Sequence, residues 1–162
     1  PVEQFYRDNR LNPIHEGTDG IQAVDLVGRK LRMDGGAGMD LLEAKVRATL
    51  DSAPASLADE TALLRAQADR AFRATRSLWE GAEPQLAMAN ATRHADALGH
   101  VVVGWIWLQQ LIAADGKDGS FYDGKRAAGR FFLTRMLPDI GPTLDLLEAR
   151  DSTLLTLDPS CL

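Results

Sequence analysis

Apolar residues recur at helical spacing along most of this chain, and no segment shows the alternation that predicts a β-strand. The clearest series repeats every seven residues and comprises Leu57, Leu64, Ala71 and Leu78. Phe72 and Trp79 lie beside this series and widen the apolar face. Because a face of that width packs against several neighbouring helices, the pattern predicts an all-α fold in the form of an up-and-down helical bundle.

Capping residues, glycines and prolines predict where the helices begin and end. The predicted starts are Asp19, Met39, Ser56, Pro84, Ser120 and Pro142. Three of these starts are followed by a residue that completes a capping box, namely Gln22, Asp59 and Asp123. Residues 1–18 carry no such signal and are expected to form an extended, mobile N-terminal arm.

Apolar spacing also predicts which side chains point inward. In the first helix we expect Val24, Val27 and Leu31 to be buried, and Gly35–Gly38 to end the helix in a flexible joint. This joint is the predicted boundary between two units, residues 1–36 and residues 37–162. In the helix after Ser120, the side predicted to face inward carries Phe121, Ala128, Phe132 and Met136.

The segment 97–114 is apolar on every side and reaches the lower limit of a transmembrane span. His100, Gln109 and Gln110 interrupt it. The preceding residues 86–95 are amphipathic, and their apolar face requires a protein partner. These features favour a central bundle helix over a membrane span, with the span as the alternative. Gly99 and Gly104 are expected to allow close contact with neighbouring helices.

Composition narrows the class of partner. The net charge of -5 and the pI near 5.1 argue against nucleic acid, whose binding requires a concentrated basic surface. Cys161 is the one cysteine in the sequence, which excludes an intrachain disulfide and is typical of a cytoplasmic protein. The chain begins without the basic and apolar regions of a secretory signal.

The sequence offers no convincing metal or dinucleotide site. His94 and His100 are spaced to lie on different faces of a helix, and one of them is expected to be hydrogen-bonded in the core. The segment 115–120 resembles a calcium loop, but Lys117 occupies a ligand position. The glycines at 35–38 do not follow a strand and do not fit the dinucleotide fingerprint.

One carboxylate stands out. Glu16 lies between an extended approach and a Gly-Thr-Asp turn that opens a helix, which is one way to mount a catalytic base. The same position also suits a charge that is stabilised by the helix dipole, and spacing alone leaves both interpretations open.

The surrounding residues resemble the end of the catalytic domain of acyl-CoA dehydrogenases. The residues that match are Tyr6, Arg7, Asp8, Arg10, Leu11, Ile14, Glu16–Thr18 and Gly20–Leu31. A second segment resembles the C-terminal helical extension of the larger members, such as the 3-methylmercaptopropionyl-CoA dehydrogenases. Its matching residues are Phe121, Tyr122, Gly124, Lys125, Arg130–Phe132 and Leu137–Pro138.

This resemblance implies a function for the first segment. Glu16 would be the base that removes the α proton of an acyl-CoA thioester while a hydride passes to N5 of FAD, and Gly17 would allow the substrate to approach closely. Thr18, Asp19 and Gly20 match residues that contact FAD at a helix start. His15 stands where the family usually has Tyr.

The resemblance also implies partners, namely a homo-oligomer and an electron-transfer flavoprotein. We expect residues 1–162 alone neither to bind FAD tightly nor to oxidise acyl-CoA, because most of the flavin pocket lies outside them. Two alternatives stay open: a non-catalytic helical module that serves assembly, and a flavoprotein relative with a different reaction.

Overall fold

The computed structural model describes residues 2–12 and 19–161, and within those residues it contains helices and no strand. The α-helices are α1 (Val2–Asn9), α2 (Asp19–Gly28), α3 (Ala37–Asp51), α4 (Ala58–Ser77), α5 (Pro84–Met88), α6 (Ala91–Ala114), α7 (Ser120–Phe131), α8 (Gly141–Glu148) and α9 (Thr153–Thr156). The 3₁₀ turns are Lys30–Gly36, Ala55–Leu57, Leu137–Ile140 and Pro159–Cys161, and a π turn spans Phe132–Met136. The predicted all-α class is confirmed.

Side-chain contacts show that successive long helices run in opposite directions. Ser56, just before α4, donates to Asp115, just after α6, while Thr75 near the end of α4 contacts His94 near the start of α6. The same reversed order relates α3 to α4 and α6 to α7, through the pairs Asp51–Arg65, Asp40–Arg76, Gln110–Lys125 and His100–Phe132. The long helices therefore form the predicted up-and-down bundle.

The core lies where α4 and α6 meet the other helices of the bundle. The four residues that are spaced seven apart, Leu57, Leu64, Ala71 and Leu78, are all buried, and Phe72 beside them is 2% exposed. A smaller apolar cluster joins α2 to the end of α4 and to the α5–α6 region; it consists of Ala23, Val27, Leu78, Ala87 and Ala91. The predicted helical periodicity of α4 is confirmed, because each seventh position returns to the same buried face.

α6 is the helix for which a membrane span was the alternative. It has 24 residues and a mean hydropathy of 1.4 in its most apolar window, which meets the length and composition of a span. In the structure it packs against α2, α3, α4, α7 and α8. Its Trp105 indole N–H donates to Thr49 at 2.7 Å, and its Gln110 accepts from Lys125 at 2.9 Å. Contacts of this kind are those of a central bundle helix.

The N-terminal arm differs from the expectation of an extended chain. Val2–Asn9 is helical, although every residue of α1 is exposed. Arg7 pairs with Glu3, and Gln4 donates to Asp8 at 2.7 Å, both at the spacing of one helical turn. Such pairs stabilise a helix without tertiary contacts, and the apolar pattern gives no sign of them. The rest of the predicted arm that the structure describes is residues 10–12.

Two of the predicted capping boxes are wrong. A 3₁₀ turn precedes α4, and the Ser56 hydroxyl donates to Asp115 at 3.0 Å instead of capping the helix. At the start of α7 the N-cap residue is Gly119, and Asp123 accepts a hydrogen bond from Arg126 at 2.6 Å. In each place one side chain of the predicted box binds another side chain in preference to the helix terminus: the Ser56 hydroxyl binds Asp115, and the Asp123 carboxylate binds Arg126.

Some inward-facing predictions are also wrong. Ala23 takes the buried place in α2 while Val24 is 48% exposed. In α7, Phe121 and Ala128 are exposed, and in the π turn that follows, Met136 is exposed and Phe132 is buried. The reason is that α7 approaches α6 through Gly129 and that the π turn then shifts the register. The helix predicted from Pro84 to Ala114 breaks after α5, before Asn90. Gly99 has open space beside it, whereas Gly104 makes the expected close contact with Leu64.

Candidate functional site

The five predicted site residues are consecutive in the sequence, and the structure describes the last two of them. Asp19 and Gly20 begin this helix and are exposed. Glu16, Gly17 and Thr18 lie outside the residues that the structure describes, so their roles stay predictions. What the structure shows of this site is the helix that follows it.

α2 is fixed by one buried edge. Ala23 is 3% exposed and Val27 is fully buried, and both belong to the smaller apolar cluster. Gly28 completes the contact, because a Cβ atom at this position would lie 3.1 Å from the Met88 methyl group on α5. The opposite edge of α2 carries the exposed Ile21 and Val24. The bundle therefore anchors α2 from Ala23 onward, and the first turn of α2 is exposed.

The charges along α2 are arranged in favour of the helix. Arg29 donates to Asp25 at 2.6 Å, and Lys30 lies 3.3 Å from the same carboxylate. The hydrogen bond from Arg29 is the largest effect on Asp25 and lowers the pKa of that carboxyl. Basic residues near the C-terminus of a helix complement its dipole, and the positive end of the dipole lies at the first turn.

This geometry fits a flavin contact at the described residues. The first-turn N–H groups of α2 suit a phosphate or another acceptor, and the exposed Asp19 carboxylate suits a hydroxyl donor such as that of a ribose. Gly20 presents no side chain to block the approach.

A separate cleft of about 500 Å³ lies beyond the C-terminal end of α2. Its wall includes Arg32, whose guanidinium lies 4.4 Å from the centre of the Trp79 ring. Asp34, Gly35 and Gly36 have successive left-handed backbones with φ of 51°, 68° and 91°, and they turn the chain into α3. Ten residues of helix span about 15 Å, so this cleft is not part of the site at Asp19.

The charged groups beside the cleft neutralise one another. Arg76 lies 2.9 Å from Asp40 and also bonds to Glu43, which accepts from Arg47 at 2.7 Å. Burial alone would raise the pKa of Glu43, but the hydrogen bonds from Arg76 and Arg47 outweigh it, and the pKa lies below its usual value. Both signs of charge line the cleft, so it shows no preference for an anion or a cation.

Among residues 2–12 and 19–161, no group of three metal-ligating side chains comes together. His94 is 2% exposed and its Nε2 lies 2.8 Å from the Thr75 hydroxyl oxygen. The expectation of a histidine hydrogen-bonded in the core is confirmed for His94. His100 lies on another face, where its ring stacks on Phe132.

Sequence reasoning missed an ion pair between two helices that are far apart in the sequence, in which the carboxylate is nearly buried and the guanidinium is half exposed. Arg130 on α7 donates to Glu60 on α4 at 2.7 Å, and the Glu60 side chain is 10% exposed. A signal for this pair was available, because Arg130 belongs to the second segment that resembles the family. Its partner lies 70 residues away and has no motif of its own.

Comparison with known proteins bears on both matched segments. The family described as "Acetyl-CoA dehydrogenase C-terminal like" matches residues 42–158, which is most of the chain. The chain belongs to this family. Its all-α bundle and its second matched segment are thereby accounted for, and the resemblance to acyl-CoA dehydrogenases is confirmed.

Individual relatives of this family member are acyl-CoA dehydrogenases from bacteria. The broad-specificity linear acyl-CoA dehydrogenase FadE5 of Mycobacterium tuberculosis is 28% identical over 98% of this chain. The 3-methylmercaptopropionyl-CoA dehydrogenase of Ruegeria pomeroyi is 33% identical over 96%, and a butyryl-CoA dehydrogenase of Syntrophomonas wolfei is 30% identical over 95%. The chain spans 27% to 29% of the length of these three relatives.

Proposed function

We propose that this chain is the C-terminal part of an FAD-dependent acyl-CoA dehydrogenase and that it carries the catalytic base, Glu16. The observation that carries the proposal is the ordered match over 6–31, which continues into a bundle of the acetyl-CoA dehydrogenase C-terminal-like family. The oxidoreductase family of the relatives supports the reaction class. The bound flavin would supply the hydride acceptor.

Within such an enzyme, the residues of this chain would bind and deprotonate the substrate. Glu16 would remove the proton α to the thioester carbonyl, and its backbone N–H would polarise that carbonyl. Burial against an apolar acyl chain would raise the pKa of a carboxyl at this position, which suits a base. Gly17 would admit the substrate, and Thr18, Asp19 and Gly20 would contact FAD.

The structure supports the proposal in one mechanical respect. The buried edge of α2 begins at Ala23, four residues after Asp19, so the segment that contains Glu16 is followed directly by a helix that is anchored on the bundle. A catalytic group must keep its geometry, and a helix that packs on a rigid bundle restrains the residues that precede it in the chain.

We further propose that residues 1–162 by themselves are inactive and bind FAD weakly. They correspond to less than a third of the length of the relatives, and one wall of a site cannot offset the ordering cost of a large ligand. The proposal also includes an electron-transfer flavoprotein as electron acceptor and a cytoplasmic location.

The test uses a full-length parent enzyme that contains this sequence. The purified flavoprotein is mixed anaerobically with a panel of acyl-CoA chain lengths, and bleaching of the visible flavin band reports reduction. We expect reduction by at least one chain length in the parent. Glu16→Gln should retain FAD and lose reduction by more than about 1,000-fold, since the base and its proton transfer are removed.

A matched variant separates loss of the base from loss of a carboxylate anywhere in the segment. Glu3 is exposed, on α1, and pairs only with Arg7 among the described residues. Glu3→Gln should leave flavin reduction unchanged. If no acyl-CoA reduces the flavin of the parent, or if Glu16→Gln reduces normally, the proposed reaction is wrong.

Assembly is a second candidate function with an observation of its own. Four large apolar side chains on α6 and α7 are 42% to 68% exposed, namely Val103, Ile106, Phe121 and Phe131. Faces of this kind are common in homo-oligomers. A module that served assembly alone would keep its parent active after Glu16→Gln, so the same experiment decides between the two functions.

A further inference from the structure

His94 lies at a junction that the proposed function does not use. Arg150, with a left-handed backbone at φ of 51°, donates to the carbonyl oxygens of Ser77 and of Glu80, the latter at 3.1 Å. Asn90 donates to the carbonyl oxygen of Asp151 at 2.7 Å. These bonds tie the chain after α8 to the end of α4 and to the start of α6. We call this region, with His94 at its centre, the His94 junction.

The hydrogen bonds determine which nitrogen of neutral His94 carries the proton. The Thr75 hydroxyl has one proton, which it donates to the Ala71 carbonyl oxygen at 2.7 Å. The contact of 2.8 Å between Thr75 Oγ1 and His94 Nε2 must therefore be a donation from the ring. Nδ1 then holds a lone pair, and within the described chain this buried atom has no partner.

His94 also forms part of the wall of a small cavity. The apolar wall comes from Leu78, α5 and α8, and the polar wall from Asn90, His94 and Arg150. The space open to the centre of a water molecule is about 10 Å³, close to the minimum for one water. A neutral imidazole is compatible with such surroundings, because an acceptor costs less to bury than a charge.

A protonated imidazole is not compatible with them. Among the described residues that line the cavity, Arg150 carries the one charge, and it is positive. Thr75, which contacts the ring from α4, is neutral, and the lining residues of α5 and α8 include no carboxylate. Protonation would add a second positive charge and a buried N–H donor without a carboxylate to receive it. Burial accordingly lowers the pKa of His94 to about 4.

We propose that His94 is an acid-sensitive lock on this junction. Neutral His94 keeps α5, the first turn of α6 and the chain after Glu148 together. Protonation opens these three segments while the main core, centred on α4 and α6, stays folded. The regulated element is the junction itself, and the proposal does not depend on the reaction of the parent enzyme.

Hydrogen exchange measured by nuclear magnetic resonance tests the lock in the 162-residue chain. The reporting amides are those of Ala87, His94 and Asp151, which are hydrogen-bonded within the junction. The pKa of His94 is 6.5 in the open state and about 4 in the closed state, so the open state takes up a proton more readily as the pH falls. The equilibrium constant for opening should therefore rise roughly 20-fold between pH 7 and pH 5. Exchange rates are first corrected for the intrinsic effect of pH.

Two variants provide the controls. His94→Gln places an amide N–H near the position of Nε2 and does not titrate, so its junction opening should change less than about twofold over the same pH range. His100→Gln, at the half-exposed histidine on the same helix, should retain the full increase. If His94→Gln does not fold, the wild-type amides of Leu64 and Leu108 serve as internal controls, because both lie in the main core.

The outcomes are distinct. An increase confined to the junction and absent in His94→Gln supports the lock. An opening equilibrium in the wild type that changes less than threefold overturns it. An equal increase at Leu64 and Leu108 also overturns it, because acid would then act on the whole bundle.

Discussion

Gly129 is the position at which the structure makes its sharpest prediction about stability. It lies on α7 where this helix meets α6, and a Cβ atom there would lie 2.9 Å from Leu111 Cδ2 and 3.2 Å from Trp107 Cε3. Leu111 is 1% exposed, and Lys125 covers the Trp107 ring at 5.6 Å. All of these close atoms belong to side chains of α6, so Gly129→Ala requires those side chains to shift or the two helices to separate.

The expected magnitude is the difference between two opposing effects. Overpacking of a dense core costs about 1–3 kcal/mol. Replacement of a helical glycine by alanine stabilises the helix by about 1 kcal/mol, since alanine has the higher helix propensity. For Gly129→Ala we therefore expect a net loss of about 1 kcal/mol in the free energy of unfolding.

Gly124 supplies a matched control in the same helix. A Cβ atom there meets nothing within 4 Å, and the residue is exposed. Gly124→Ala should thus gain about 1 kcal/mol from helix propensity alone. Urea denaturation followed by circular dichroism would measure both variants, with equal m-values as the condition for comparing them. We expect a difference of about 2 kcal/mol between the two, which isolates the steric effect.

A double-mutant cycle identifies the atom responsible. Leu111→Ala removes the nearest group, so Gly129→Ala should lose less stability in that background, with a coupling of about 1 kcal/mol or more. Equal stability of Gly129→Ala and Gly124→Ala would refute the reasoning. So would a cycle without coupling, because the close contact would then not be the cause.

Two further predictions concern ion pairs. Arg130→Met leaves the Glu60 carboxylate nearly buried without its partner, so unfolding in urea should show a loss of about 1.5–3 kcal/mol, with Glu60→Gln losing less. Hydrogen bonds from Arg70 lower the pKa of Glu148, so their stabilisation is present above pH 4.5 and is lost as the pH falls through the lower folded-state value. Arg70→Met should lose less than about 1 kcal/mol at pH 7 and nothing at pH 2, and a loss independent of pH would contradict this assignment.

The hydrophobic pattern predicted α4 well for a physical reason. The four residues spaced seven apart are apolar, three of them leucines, and they lie on one buried face, and burial of such a face is the largest favourable term in packing. α7 was oriented wrongly because its contact with α6 is made by Gly129, which contributes no hydrophobic signal. Phe121 and Phe131 of the same helix are large and apolar, which favours burial in the sequence pattern, yet both are exposed.

The His94 junction could not be predicted from local sequence. It depends on Thr75, on Asn90 and on a left-handed backbone at Arg150, and the last of these lies 56 residues from His94 in the chain. Each residue alone has an ordinary interpretation. Glu16 presents the opposite case, since its role was inferred from a long ordered match while spacing left it undecided.

Both apolar clusters contribute to the position of α2, which follows the proposed catalytic base in the chain. The main core fixes α4 and α6, and α2 is attached to them through Ala23 and Val27 in the smaller cluster. This smaller cluster also includes Ala87 of α5 and Ala91 at the start of α6, which border the His94 junction. Any opening of that junction would therefore loosen the support of α2 before it reached the main core. In the parent enzyme, the geometry of the Glu16 segment would then depend on the protonation of His94, some 78 residues further along the chain.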